Sequence, residues 1–289
     1  MASVLGVVGG SGIYQFPDLL DVEEVRVETP FGAPSDAIVR GRLGETELLF
    51  LPRHGRGHRI PPHAINYRAN ICALKLLGAE QLVSLSAVGS LRQDIHPGEV
   101  VIVDQFIDLT KRRASTFFEP DIAAHVSFAD PVCPALASAA AEAARKAGAG
   151  VVRGGTYVCM EGPQFSTRAE SLLYKSWGAA VIGMTAMPEA KLAREAELPY
   201  ATIAFATDYD AWHASEAAVS VDAVLAVLKR NVELSCEIVR QLVAHLPRAA
   251  DSSASHALEH ALITAPDSIS AEARARLSWL LERRAAPAQ

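Results

Sequence analysis

Residues 3–12 read Ser-Val-Leu-Gly-Val-Val-Gly-Gly-Ser-Gly, a short β-rich run from Ser3 to Gly9 that ends in the turn Gly9-Gly10-Ser11-Gly12. Runs this short that stay apolar without alternation belong to strands covered on both faces. The turn offers backbone amides and one hydroxyl to an anion, and it serves equally as a tight turn that needs positive φ. The P-loop lysine and a complete GxGxxG spacing are absent, which disfavours a kinase or Rossmann site.

Outward from this strand, Glu47–Pro52 (ELLFLP), Gln81–Ser86 (QLVSLS), Val100–Val103, Val181–Met184 and Tyr200–Ala206 (YATIAFA) are further buried-strand candidates. Helical patterns at His63–Leu77, Pro134–Ala147, Arg168–Trp177, Pro188–Ala196 and Val219–Leu246 supply cover for both faces. The fold predicted is a three-layer α/β sandwich, a central mixed sheet flanked by helices. Residues 1–246 form the main domain. Residues 247–289 form an Ala/Ser/Pro-rich linker and a helical tail, Ala271–Arg284, packing on that same domain.

Half of the 289 residues are apolar and 21% are charged, a balance that buries a large core. A net charge of −6 gives nucleic acid no electrostatic reason to bind. Cys72, Cys133, Cys159 and Cys236 lie far apart without metal-ligand spacing and read as reduced core thiols. No apolar run reaches the roughly 18 residues of a membrane span, and no secretory signal opens the chain. The expectation is a cytoplasmic protein without membrane or nucleic-acid partners.

The strand ends carry polar clusters, and ligands of open α/β sheets bind beyond the carboxyl ends of strands. Arg53-His54-Gly55-Arg56-Gly57-His58 suits an anion, with Arg53 able to clamp phosphate through two N–H groups. His54 and His58 could add donors or be surface or metal histidines, but no third ligand at zinc spacing supports a metal. In Met160–Glu170, Phe165 is either a stacking surface for a planar base or a core aromatic, and Ser166 or Thr167 caps the following helix. Thr207-Asp208-Tyr209-Asp210 sets two carboxylates after an apolar strand, suggesting acid catalysis or base recognition, and no DxDxDG loop follows.

Together these segments resemble the trimeric purine nucleoside phosphorylases from Val7 to about Leu246. The resemblance rests on Gly9–Gly12, Thr29-Pro-Phe-Gly-Ala-Pro-Ser-Asp36, Arg53–Arg56, Gly89-Ser90-Leu91, Val103–Asp108, Glu161-Gly-Pro-Gln-Phe-Ser-Thr-Arg168, Met184-Thr185 and Thr207–Asp210. It implies a nucleoside phosphorylase-like fold, no cofactor, inorganic phosphate as co-substrate, and a homotrimer or a dimer of trimers.

By position, the resemblance implies that Ser11, Arg53, His54, Ser86, Ala87 and Thr185 hold phosphate. Phe165, Ser166, Met184, Tyr209, Val221, Val224 and His58 surround the nucleoside, with His125 reaching a neighbouring subunit's 5′ pocket. Asp208 faces purine N7 as the general acid, with a raised pKa, and Asp210 reaches the exocyclic amine. Relatives specific for 6-oxopurines carry Asn and Glu at the Asp208 and Ser166 positions, and a carboxylate acceptor favours adenine. An apolar pocket at Val221 and Val224 suits a methylthio group. The implied reaction is phosphorolysis of S-methyl-5′-thioadenosine in methionine and purine salvage. A purine nucleoside or methylthioinosine phosphorylase, a hydrolytic nucleosidase and a non-catalytic nucleotide-binding protein are the alternatives. Ala257–Ile263 is the candidate lid for the 5′ end.

Overall fold

The computed structural model describes residues 3–10, 16, 18–213 and 221–281, the stretch 221–230 by its backbone alone. Ser11 and the side chains of Val221 and Val224, all expected at the site, lie outside the described residues.

The first strand, β1 (Val4–Gly9), runs parallel between β4 (Thr46–Pro52) and β5 (Gln81–Ser90). Leu5 and Val7 point to one apolar cluster and Val8 to another, so both faces of β1 are covered. That is why the run shows no polar alternation. Beyond β4 the sheet continues through β3 (Ile38–Leu43) to the edge strand β2 (Leu20–Val25).

The sheet forks at β5. Its length is paired in parallel with β11 (Tyr200–Tyr209), and its last two residues pair antiparallel with β10 (Val181–Gly183). From β10 the order runs through β9 (Thr156–Cys159) to β7 (Gln105–Asp108), while β11 leads to β6 (Val100–Ile102) and β8 (Val151–Arg153). The sheet is mixed, and its two faces are covered by helices. On one side lie α1 (Tyr67–Leu76) and α4 (Glu189–Glu195), on the other α2 (Pro134–Lys146) and α5 (Val221–Val243). α3 (Arg168–Ser176) closes a third, smaller apolar cluster with Leu91, Val158 and Ile182. This is the three-layer α/β fold read from the sequence.

One feature differs from the sequence reading. The tail helix expected over Ala271–Arg284 is two short pieces, α6 (Ala271–Arg276) and α7 (Ser278–Leu281), interrupted at Leu277. Leu277 and Leu280 are buried in the same cluster as α1 and α4, and Trp279 meets Phe117 edge-on at 5.1 Å. Packing of these side chains outweighs the helical propensity of the intervening residues. The segment Ala257–Ile263 is wound in turns, with Leu258 and Ala261 buried and Leu262 bridged to Ala124. The four cysteines are free and buried, and burial pushes the Cys72 and Cys159 thiols up to about 12.

Candidate active site

β4 ends at Pro52, and the amide of Arg53 donates to the Gly9 carbonyl at 2.9 Å, holding the ends of β1 and β4 side by side. The Arg53 side chain turns inward and is 2% exposed. Its Nε and Nη2 donate to the two carboxylate oxygens of Glu189 on α4, Nη2 also reaches Ser84 Oγ at 2.6 Å, and Nη1 donates to the Leu85 carbonyl at 3.1 Å. Burial works against the Arg53 charge, but Glu189 outweighs it and raises the pKa further above its ordinary value. The two-pronged edge of the guanidinium therefore belongs to Glu189. A bidentate Arg53–phosphate clamp, expected from the sequence, is corrected: Nη1 retains a single N–H for an anion.

His54 follows in a loop fixed by Asp36, whose Oδ2 accepts from the Arg56 amide at 2.7 Å. Burial pushes the His54 imidazole down to about 4, and the charges of Arg53 and His58 add to the effect. The ring is neutral near pH 7. With Nδ1 2.8 Å from the Ile60 carbonyl, the proton is assigned to Nδ1, leaving the Nε2 lone pair to accept from a P–OH. His58 stacks on His54 at 4.1 Å between ring centroids, on the exposed side of the loop.

Ser86 and Ala87 lie on β5 just beyond the Leu85 carbonyl that Arg53 holds. Ala87 is exposed in an otherwise buried stretch, which marks an opening in the sheet. Ser86 Oγ is 3.3 Å from Thr185 Oγ1 and 3.2 Å from Tyr157 OH. Three hydroxyls from β5, β9 and the end of β10 thus converge. Tyr157 was not expected from the sequence. Its place requires glycine at 183, where a Cβ would stand 2.0 Å from the Tyr157 oxygen.

The carboxylates meet the same strand three residues on. Gly89 is in register with Asp208, and a Cβ at Gly89 would lie 3.2 Å from both Asp208 Oδ1 and Asp210 Cβ. The register shift between Ala206 and Asp208 re-aims the end of β11, as bulges do beside binding sites. Thr207 Oγ1 lies 2.6 Å from Asp208 Oδ2. Asp210 is 5% exposed, its Oδ2 lacks a protein partner, and Ser171 and Ser166 bond to its side chain. Burial raises the Asp210 pKa from its ordinary value.

Tyr209 alternates to the opposite face. Its ring stacks on His213 at 4.6 Å, meets Trp212 edge-on at 5.8 Å, and its hydroxyl reaches the Gln93 carbonyl. Thr167, rather than Ser166, caps α3 in a reciprocal pair with Glu170, which leaves the Ser166 hydroxyl for Asp210 and Met160. Phe165, 50% exposed, stands in the loop that follows β9. Gly162, at φ +67°, passes so close to Met184 that a Cβ would be 2.6 Å from its sulfur. His125 is exposed, and its backbone amide donates to the Ala261 carbonyl.

The site therefore brings the Ser86, Thr185 and Tyr157 hydroxyls, Met184 and the Asp208–Asp210 pair together across the ends of β5, β10 and β11. Residues 4–244 match the model of the phosphorylase superfamily, and the chain belongs to that superfamily. Among its relatives, S-methyl-5′-thioadenosine phosphorylase of Geobacter sulfurreducens is 54% identical over 282 residues, covering 97% of this chain and 99% of the relative. A crystal structure of methylthioadenosine phosphorylase from an antarctic soil metagenomic library superposes with a TM-score of 0.91 at 48% identity, covering 97% of this chain and 99% of the other. Methylthioadenosine phosphorylase from Schistosoma mansoni in complex with adenine gives 0.84 at 35% identity, covering 90% and 99%.

Proposed function

We propose that this chain cleaves S-methyl-5′-thioadenosine with inorganic phosphate, giving adenine and 5-methylthioribose 1-phosphate, a step of methionine and purine salvage. The observation that carries this reading is the spacing of an anion seat and an acidic pair along one strand, in a chain about half identical to relatives of that activity.

In this reading the anion sits among Arg53 Nη1, His54 Nε2, the Ser86 and Thr185 hydroxyls and the Ala87 backbone, and Ser11, which lies outside the described residues, belongs to the same set by resemblance. A phosphate oxygen bonds to C1′ as the C1′–N9 bond breaks, and the electron pair leaves with the purine. The purine takes a proton on N7 from Asp208, while the phosphate charge stabilises the oxocarbenium-like sugar. Asp210 and Ser166 receive the adenine edge, Phe165 covers its face, and Met184 lies against the ribose. The buried, unpartnered Oδ2 of Asp210 supports an acceptor role toward an amine. An apolar 5′ pocket at Val221 and Val224, whose side chains lie outside the described residues, belongs to this reading by resemblance alone. Inorganic phosphate is a substrate, and no cofactor is invoked.

We further infer a cytoplasmic homotrimer, or a dimer of such trimers, in which the exposed His125 and the neighbouring Phe128 serve the adjoining subunit. The half-exposed Leu172 and Leu173 on α3 and Trp177 at its C-terminal cap support an interface between copies. Among the described residues no helix is long and apolar enough to cross a membrane.

The test incubates purified protein with methylthioadenosine, adenosine and inosine, with and without phosphate, and identifies base and sugar products. Adenine and a sugar phosphate formed from methylthioadenosine only when phosphate is present is the expected result. Adenine released equally without phosphate would overturn it in favour of a nucleosidase. Light scattering that returns only monomer at working concentration would overturn the trimer.

A further inference from the structure

Arg113 lies in the loop after β7, within a basic run, Lys111-Arg112-Arg113, that as sequence suggests a solvated surface. Its side chain is nevertheless 1% exposed. Nη1 donates to the carbonyls of Met184 and Met187 at 2.7 and 2.6 Å, and lies 3.0 Å from Tyr67 OH. Nη2 donates to the Glu161 carbonyl at 2.7 Å, with the Met160 carbonyl at 3.4 Å, and Nε donates to the Glu161 carboxylate at 3.1 Å. The same carboxylate accepts from the amides of Lys111 and Arg112, so it holds both the backbone leading to Arg113 and the Arg113 side chain. The guanidinium also stands 5.4 Å from the Tyr67 ring centroid.

These acceptors belong to two separate parts of the site. Met184 and Met187 bracket Thr185, whose hydroxyl meets Ser86 in the anion seat. Met160 and Glu161 begin the loop that carries Phe165 and Ser166, and Ser166 reaches Asp210. One planar cation therefore fixes the backbone of the phosphate half to the backbone of the base half. Its rigid fork, with donors in fixed directions, suits this task in a way a lysine ammonium does not.

We infer that Arg113 is a positioning residue for the phosphorolysis proposed above, setting the base loop and the anion seat in register for attack at C1′. The inference rests on that functional reading. Each half keeps its own binding groups when Arg113 is changed, and only their mutual placement is lost. A displacement of about 1 Å between reacting groups costs on the order of a hundredfold in rate.

The experiment uses the full chain with Arg113→Lys, and with Glu161→Gln, which keeps the guanidinium and a neutral acceptor but weakens the hold on Nε. Steady-state rates are measured with methylthioadenosine and phosphate varied independently, beside wild type, and thermal melting reports the folded fraction. Arg113→Lys is expected to lose about a hundredfold in kcat with both KM values within about threefold, and Glu161→Gln about tenfold in kcat with the same pattern. Activity per folded molecule equal to wild type, or raised KM with kcat preserved, would overturn the inference. If Arg113→Lys does not fold, Glu161→Gln decides by the same criteria. A wild-type enzyme that fails to release adenine with phosphate defeats the functional reading instead, so the two failures are told apart.

Discussion

Both carboxylate oxygens of Glu189 are held by Arg53, Oε2 by Nε at 2.8 Å and Oε1 by Nη2 at 3.0 Å, with neither side chain more than 2% exposed. Tyr200 OH donates to Oε1 as well, at 3.1 Å. The pair braces β5 just before Ser86 through Ser84 and the Leu85 carbonyl, and removing one member leaves the other as a buried, uncompensated charge.

Glu189→Gln is accordingly expected to destabilise the protein by about 3–5 kcal/mol, read from the urea midpoint. Replacing both partners, as Arg53→Met with Glu189→Leu, is expected to recover much of that loss while phosphate use stays impaired. A single Gln variant as stable as wild type would contradict this account.

Asp208→Asn keeps the shape of the side chain but cannot give a proton to N7. Turnover is expected to fall at least about a hundredfold, the usual scale for a general acid. The measurement is kcat for methylthioadenosine at saturating phosphate, and an unchanged value would remove Asp208 from the role.

Gly162→Ala meets two obstacles at once, a backbone at φ +67° and a Cβ 2.6 Å from the Met184 sulfur. The strain alone is worth about 1–3 kcal/mol. Met184 must move, so KM for the nucleoside is expected to rise about tenfold, equivalent to ~1.4 kcal/mol, while KM for phosphate changes little. Kinetics with each substrate varied in turn would distinguish this from a general loss of folding.

Glu195 on α4 is buried, accepts from the Phe117 amide at 2.8 Å, and has the like charge of Glu119 nearby. Burial is the largest influence and brings its pKa up to about 7. The folded state thus holds this proton more tightly than the unfolded chain. The associated stability is fully present below pH 4.5, the ordinary value, and is lost as pH rises through about 7. Relative to Glu195→Gln, which retains the acceptor, wild type is expected to lose on the order of 3 kcal/mol between pH 4.5 and 8. Melting curves of both proteins across that range give the answer, and parallel curves would refute it.

The parts of this molecule legible in its sequence are those whose burial is written locally. β1, β4, β5 and β11 are apolar because both faces are covered, and α2 carries a regular apolar stripe. β2 could not be read that way: Leu-Asp-Val-Glu-Glu-Val sits at the sheet edge almost wholly exposed. β8, at three residues, is too short to show a period.

The site divides similarly. Strand-end motifs pointed to Ser86, Thr185 and the two carboxylates, whereas Tyr157 joins them through a pairing of β9 with β10 that no local pattern records. Glu189 and Arg113 escaped for a physical reason. Charged residues usually face water, and these two are buried only because partners distant in the chain complete their bonds. The same partners explain why Arg53 offers phosphate less than its sequence context suggested.

β5 also works as a ruler. Ser86 and Gly89 are three residues apart on one extended strand, which fixes roughly 10 Å between the two ends of the site that the proposed reaction assigns to phosphate and to the leaving base. Because neighbouring strands hold that length, loop insertions elsewhere cannot stretch it. Altered substrate preference in this framework has to come from exchanging side chains at either end of the measure, while a one-residue slip of the strand would turn both ends to the wrong face together.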